Sequence, residues 1–232
     1  MTTFQRARSE EQREARRRTI LDTAAAMLAE MPVADVTLNE LSRRVGLAKS
    51  NVLRYFESRE AVLLELLDAA WQDWLTDLER QLADREAEKS SVRERTSLLS
   101  GVLATSLAAR PVLCDLLSAQ SAVLERNVSP AVAATCKRAA VASVTALGTQ
   151  ARCCVPELGE GGAFRFAGVV VMTAGALWSS CQPSAAMLAA YEADPGLAAM
   201  RLDFTATMRE LAEVLITGLL ALASQPGGPA VS

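Results

Sequence analysis

Lys49, Ser50, Asn51 and Arg54 fall within a six-residue window, and each can donate hydrogen bonds to phosphate oxygens or to base edges. Val52 and Phe56, four apart on one helical face, would hold such a window to a core while its polar residues point away. Upstream, Thr37 with Glu40 forms a T-x-x-E pattern that caps a helix, and the free N–H groups at such a start suit a phosphate. Downstream, Arg59 puts another cation near the start of a helix. Arg16, Arg17 and Arg18 form either a phosphate-binding edge or an ordinary solvated face. This set suits anion and nucleic-acid recognition better than bond breaking. The chain has no histidine, which removes the commonest general base, zinc ligand and partner of a nucleophilic Ser or Cys. No enzyme, no cofactor and no metal site is expected.

The elements that must position these groups follow from periodicity. Ile20, Leu21, Ala24, Met27 and Leu28 recur at helical spacing over residues 12–30, and Met31-Pro32 stops that helix. Residues 1–11 are polar and expected to fray. Leu38, Leu41 and Val45 give the next helix its apolar stripe, with Arg43 and Arg44 off it. Gly46 suits the left-handed residue that closes such a helix. The segment 49–56 is about two turns long and cannot be stable alone. Helix, glycine-containing turn and short helix form the grammar of a helix-turn-helix, whose second helix enters a major groove.

Beyond Ser58, a plausible N-cap, a long fourth helix runs toward a charged linker at 83–91. Further helices are expected at 92–109, 111–126, 130–154 and 163–181, with a short one inside 182–196 and a last one at 202–223; 155–162 reads as a loop and 225–232 as a flexible tail. Half of the 232 residues are hydrophobic and only 4% aromatic, a mix rich in Ala and Leu that favours an all-α fold of about nine or ten helices. Residues 1–60 carry eleven basic and nine acidic side chains, within a net charge of −3 for the whole chain. That asymmetry permits a nucleic-acid-facing front on an acidic body.

Five cysteines without CxxC spacing read as reduced core thiols, and the adjacent Cys153 and Cys154 are poorly placed for a disulfide. The start lacks the apolar core of a signal peptide, and the apolar run 166–178 is shorter than the roughly 18 residues of a membrane span. A cytoplasmic location with no membrane partner is expected.

The stretch TLNELSRRVGLAKSNVLRYFESREAVL resembles the DNA-binding module of TetR-type bacterial regulators, whose pattern runs T-x-x-x-[IL]-A-x-x-[AV]-G-V-S-x-G-x-[LI]-Y-x-[HY]-F-x-[SN]-K-x-x-L. Thr37, Leu41, Val45, Gly46, Val52, Tyr55, Phe56, Ser58 and Leu63 match it, and Arg59 replaces its lysine; the likeness covers about residues 15–65. It implies an N-terminal three-helix module at 12–62 that reads half of a near-palindromic double-stranded operator. A helical body at 63–224 would then bind a small apolar or amphipathic effector and form a homodimer. Carried across, Thr37 and Arg59 fall on phosphate-contacting positions, and Lys49, Ser50, Asn51, Arg54 and Tyr55 in the reading helix. Two departures stand out. Ala48 replaces the Ser that caps the reading helix, a loss of about 1 kcal/mol, and Leu53 takes the place of a frequent Tyr, where it can meet a thymine methyl.

Helix faces suggest Trp74, Leu103, Leu107, Leu117, Gln120 and Met172 around the effector, although for Trp71 and Trp74 packing where the fourth helix meets the body is the favoured role. In the family the eighth helix pairs with the last to form an intersubunit bundle. This points to Gly168, Val171, Gly175 and Trp178 on one, and Leu211, Leu215, Leu219 and Leu222 on the other, as dimer contacts. The expected function is a ligand-released transcriptional repressor, with the fourth helix as the lever between module and body; the alternative is a helical ligand-binding or scaffold protein without DNA activity.

Overall fold

A computed structural model describes residues 3–83, 91–120 and 123–224, with side chains from residue 10 onward. Most of the expected linker and the expected tail lie outside the described residues, which form eleven α-helices and no strand. The helices are α1 Thr3–Glu30, α2 Leu38–Val45, α3 Lys49–Val52, α4 Arg59–Ala83, α5 Val92–Ala108, α6 Pro111–Gln120, α7 Pro130–Cys154, α8 Gly159–Ser180, α9 Ala185–Ala193, α10 Pro195–Ala198 and α11 Phe204–Ala223. They pack as two compact units, Met1–Ala69 with Ala119–Lys137, and Ala70–Ser118 with Arg138–Ser232.

In the first unit, α1 begins at Thr3, well before residue 12. The polar start is rich in Arg, Glu, Gln and Ala, good helix formers, so polarity there does not imply fraying. Ile20, Ala24, Met27 and Leu28 are its buried stripe. Thr37 caps α2, its Oγ1 accepting from the Glu40 N–H at 3.1 Å. The Glu40 carboxylate does not reach back to complete a capping box, because Arg43 (2.8 Å) and Arg44 (2.9 Å) take it. Gly46 closes α2 at φ 72°, and the N–H groups of Gly46 and Leu47 return to the carbonyls of Arg43 and Ser42 at 3.2 and 3.0 Å. Those are the bonds that satisfy a helix C-terminus.

The helical part of 49–56 is shorter than expected. α3 ends at Val52, and a mixed path of three- and four-residue turns then carries the chain on. The Leu53 N–H donates to Lys49 O (3.0 Å), Tyr55 N–H to Val52 O (2.9 Å) and Phe56 N–H to Val52 O (3.2 Å).

In the second unit, α11 packs on α5 and α8 over a core that includes Leu99, Leu103, Leu107, Phe166, Met208 and Ile216. A capping box at Ser91 and Glu94 starts α5. α6 is described as far as Gln120, and Leu124, expected within that helix, sits in a 3₁₀ turn, Leu124–Arg126, of the first unit. Three of the eight residues expected as loop at 155–162 form a 3₁₀ turn, Pro156–Leu158, and α8 starts at Gly159 (φ 63°). Small residues explain this early start. A Cβ on Gly148 would stand 3.2 Å from Ala163 O, so α7 and α8 approach closely there, and tertiary packing overrides the weak helix propensity of the glycines. The apolar stretch consequently extends over Pro156–Ser180, 25 residues, long and apolar enough by composition to cross a membrane, contrary to the shorter run expected. Here its inner face, with Phe166, Val170 and Leu177, is buried within the unit.

The tightest approach is at Gly175, where a Cβ would fall 2.9 Å from the carbonyl carbon and oxygen of Leu117 and 3.0 Å from Ser118 N. Backbone cannot move aside as a side-chain tip can. Gly175→Ala should therefore destabilise the protein by about 1–3 kcal/mol, lowering the thermal midpoint by roughly 2–4 °C per kcal/mol. Gly168→Ala, within α8, whose Cβ meets nothing within 4 Å, should leave the midpoint unlowered or raise it slightly, since Ala is the better helix former. Equal midpoints for the two variants in calorimetry would show that α6 and α8 can separate there at little cost.

Candidate nucleic-acid interface

The reading segment has little of its own to hold it, so its anchors decide its geometry. Val52 and Phe56 are buried beneath it. From α1, Arg17 reaches the same place: its Nη1 donates to Tyr55 O at 3.0 Å, its guanidinium lies 4.2 Å from the centroid of the Phe56 ring, and it pairs with Glu65 of α4. Fixed in this way, the segment turns Lys49, Ser50, Asn51, Leu53 and Arg54 outward as exposed residues, with Tyr55 half-buried beside them. The structure thus brings five of the seven expected DNA contacts to one surface. Leu53 is 41% exposed, and Ala48 caps α3 with no side-chain bond, as its methyl dictates.

Thr37, exposed one helix away, is occupied with its cap. Arg59 is a correction: its side chain is not offered to a phosphate but turned inward, donating to Val33 O and lying 3.4 Å from Glu60. The Val33 carbonyl at the turn before α2 supplies an acceptor that open solvent would otherwise have to supply, so Arg59 fastens the start of α4 to that turn. Arg43 and Arg44 are likewise neutralised. Hydrogen bonds from Arg43 and then Arg44 hold the Glu40 carboxyl at about 2, and Arg44 also pairs with Glu30 at 2.6 Å. By contrast Arg13, Arg16, Lys49 and Arg54 form no ion pair among the described residues.

The clamp role of Arg17 was missed in the sequence, where residues 16–18 read as one charged edge. The signal was present. Arg17, Ile20 and Ala24 stand at i, i+3 and i+7, so Arg17 continues the buried stripe while its two neighbours do not.

The effector residues expected from helix faces do not converge. Trp74, Leu103 and Leu107 are fully buried core, with Leu117 near them in exposure, and the Trp74 Nε1–H is satisfied by Ser106 Oγ at 2.9 Å. Gln120 belongs to the other unit and donates to Glu125 at 2.8 Å. Met172 is 69% exposed on the outer side of α8, so it lines no interior. Unpartnered buried polar atoms lie elsewhere in the second unit: Trp71 Nε1, whose ring meets Trp74 edge-on at 4.9 Å, Ser100 Oγ and Gln150 Oε1.

The expected dimer residues divide. Gly175 faces inward against α6, and Leu219 is buried in its own subunit, so neither is free for a partner. Trp178 is half-buried, edge-on to Phe204 at 5.3 Å. Gly168, Val171 and Leu215 are half-buried, while Leu211 and Leu222 are exposed. Phe164, Val169, Met172 and Val214, not expected in this role, share the exposure. α8 and α11 therefore each carry exposed apolar side chains. Of the five expected core thiols only Cys114 and Cys154 are buried, and burial pushes Cys114 up to about 12 and raises Cys154 too. Cys136 and Cys181 are half-buried and Cys153 is exposed, so the expectation of a core position fails for Cys153.

Comparison with known proteins gives these features a common frame. A sequence profile described as "Bacterial regulatory proteins, tetR family" matches residues 20–66, and one described as "Tetracyclin repressor-like, C-terminal domain" matches residues 68–223. The HTH-type transcriptional regulator EthR of Mycobacterium tuberculosis is 43% identical over 49 residues, which is 21% of this chain and 23% of that protein. The match therefore spans under a quarter of that relative's length. Among solved structures, a TetR regulator from Rhodococcus sp. RHA1 aligns at TM-score 0.52 with 14% identity, covering 90% of this chain and 97% of the other. Thermus thermophilus FadR, in complex with lauroyl-CoA, aligns at TM-score 0.53 with 17% identity, covering 93% and 98%. At those identities the two structures bear on the fold alone. The two profile matches take in the segment 49–56 and most of the second unit, and by them the chain belongs to the tetR family of bacterial regulatory proteins.

Proposed function

We propose that the protein is a transcriptional repressor that binds a near-palindromic operator as a homodimer and is released by a small apolar or amphipathic effector. The observation that carries this reading is the division of the cations around 49–56: Arg17, Arg43, Arg44 and Arg59 are spent on internal contacts, whereas Lys49 and Arg54 are exposed and unpaired. Unspent donors on a segment clamped from below are what major-groove readout needs. In this reading the module around 12–62 supplies Thr37 as a phosphate neighbour, with Lys49, Ser50, Asn51, Arg54 and Tyr55 as the reading set. Arg59 positions α4.

The body around 63–224 receives the effector. Three unpartnered buried polar atoms, on Trp71, Ser100 and Gln150, are costly to leave unmet, and they give a mostly apolar ligand a few polar anchors. Thermus thermophilus FadR binds a ligand of that amphipathic kind, lauroyl-CoA. Binding acts on DNA only through unequal affinity for two conformers.

Lys49→Ala with Arg54→Ala should weaken binding to the duplex DNA adjoining the protein's own gene by roughly fivefold to a hundredfold for each truncated side chain, from about 1–3 kcal/mol each. Unchanged retention of that DNA in a gel sinks the assignment and favours a helical ligand-binding protein. For assembly, Met172→Asp with Val214→Asp places two carboxylates among exposed apolar residues of α8 and α11. Light scattering should then report the mass of one folded chain in place of two; a dimer of undiminished stability would move the interface elsewhere.

A further inference from the structure

Next to the reading segment, Arg13 and Arg16 of α1 share an open recess of about 830 Å³ with Arg54 and Tyr55, bounded also by Gln12 and Thr19. We propose that this recess is a second DNA contact, a seat for one or two backbone phosphates flanking the groove that 49–54 reads; it rests on the DNA-binding reading above.

Three properties support an anion there. First, Arg13, Arg16 and Arg54 are all exposed, and none pairs with a carboxylate among the described residues, although Glu10, Glu11 and Glu14 share α1. Guanidiniums gathered in one recess repel each other, and a phosphate that accepts from two of them removes the repulsion and adds charge-assisted bonds. Second, the lining is rich in donors: each guanidinium carries five N–H groups, with the Gln12 amide and the Tyr55 hydroxyl beside them. The Thr19 hydroxyl is already used on Ala15 O at 2.9 Å. Third, the two walls of the recess are tied to each other. Arg13 and Arg16 are three apart on one face of α1, and the rotational setting of that helix is fixed by Arg17, whose bond to Tyr55 O ties it to the recess wall. A duplex is the phosphate source, because Arg54 belongs both to this recess and to the reading segment, so one bound DNA reaches both.

Backbone contacts position without reading sequence. The full-length protein is therefore titrated, by fluorescence anisotropy across a range of KCl, with the duplex adjoining its own gene, the same duplex trimmed at both flanks, and a random-sequence duplex. Arg13→Gln with Arg16→Gln should lower the slope of log K against log salt by roughly 0.9 for each phosphate that is no longer neutralised. It should weaken the specific and random duplexes by the same factor, and the trimmed duplex should show little difference between variant and parent. Circular dichroism should be unchanged, since both side chains are exposed. An unaltered slope, while Lys49→Ala still weakens binding, overturns the recess and leaves the reading segment standing. Loss confined to the specific duplex makes these residues base readers, which also overturns it. Displacement of DNA by inorganic phosphate beyond that by chloride at equal ionic strength assigns the recess to a free phosphate instead. If the parent protein binds none of the duplexes, both readings fall.

Discussion

The segment 49–56 depends on one half-buried side chain of α1, Arg17. A run of about two turns lacks the length to persist by its own hydrogen bonds, and Val52 and Phe56 alone fix which side faces down. Arg17 supplies the rest. Stacked on the Phe56 ring, bonded to Tyr55 O and paired with Glu65, it ties α1, the end of the reading segment and α4 at one point. Its side chain is only about one-third exposed, so the contacts are sheltered from the screening that makes open ion pairs weak. Tyr55 and Arg54 inherit their placement from it.

Around that clamp the module sorts its cations by burial and company. Several arginines are taken up by a carboxylate or a carbonyl: Arg44 by Glu30 and Glu40, Arg59 by Val33 O, and Arg43, though itself exposed, by Glu40. Those with no such neighbour are left to the solvent. The modest excess of positive charge in residues 1–60 therefore understates the field at the surface that matters, because the neutralised groups cancel one another and the unspent ones cluster.

Much of this was legible in the sequence, and the exceptions have physical reasons. The helix-turn-helix could be read because its signals are local: Thr37 as a cap, Gly46 at positive φ, and apolar residues three and four apart. Helix ends marked by proline were equally plain, as at Pro111 and Pro130. What escaped was set by contacts distant in sequence. Arg59 looks like a phosphate ligand until Val33 O is placed beside it, and Gly175 looks like an interface glycine until the Leu117 backbone fills the space where a Cβ would go. Met172 and Leu219 show the same limit on an apolar helix. When nearly every residue is hydrophobic, periodicity cannot say which face is inside, and only the partner helix decides. The glycines at 159–162 mislead for a related reason, since local propensity favours a loop there while close packing of α7 on α8 favours a helix.

The sequence suggested α4 as the one helix joining the reading module to the body. The division into units makes the connection broader, for α4, α6 and α7 each contribute residues to both. Within the first unit, the start of α7 is held to the reading module by Glu57, whose carboxylate accepts from the Ser129 N–H at 2.6 Å. Hydrogen bonding from Ser129 lowers the pKa of that carboxyl, so it stays ionised and the bond stays charge-assisted as pH falls toward the ordinary carboxylate range. Glu57 directly follows Phe56, the anchor of the reading segment. A shift at the start of α7 is therefore felt one residue from that anchor without passing through α4.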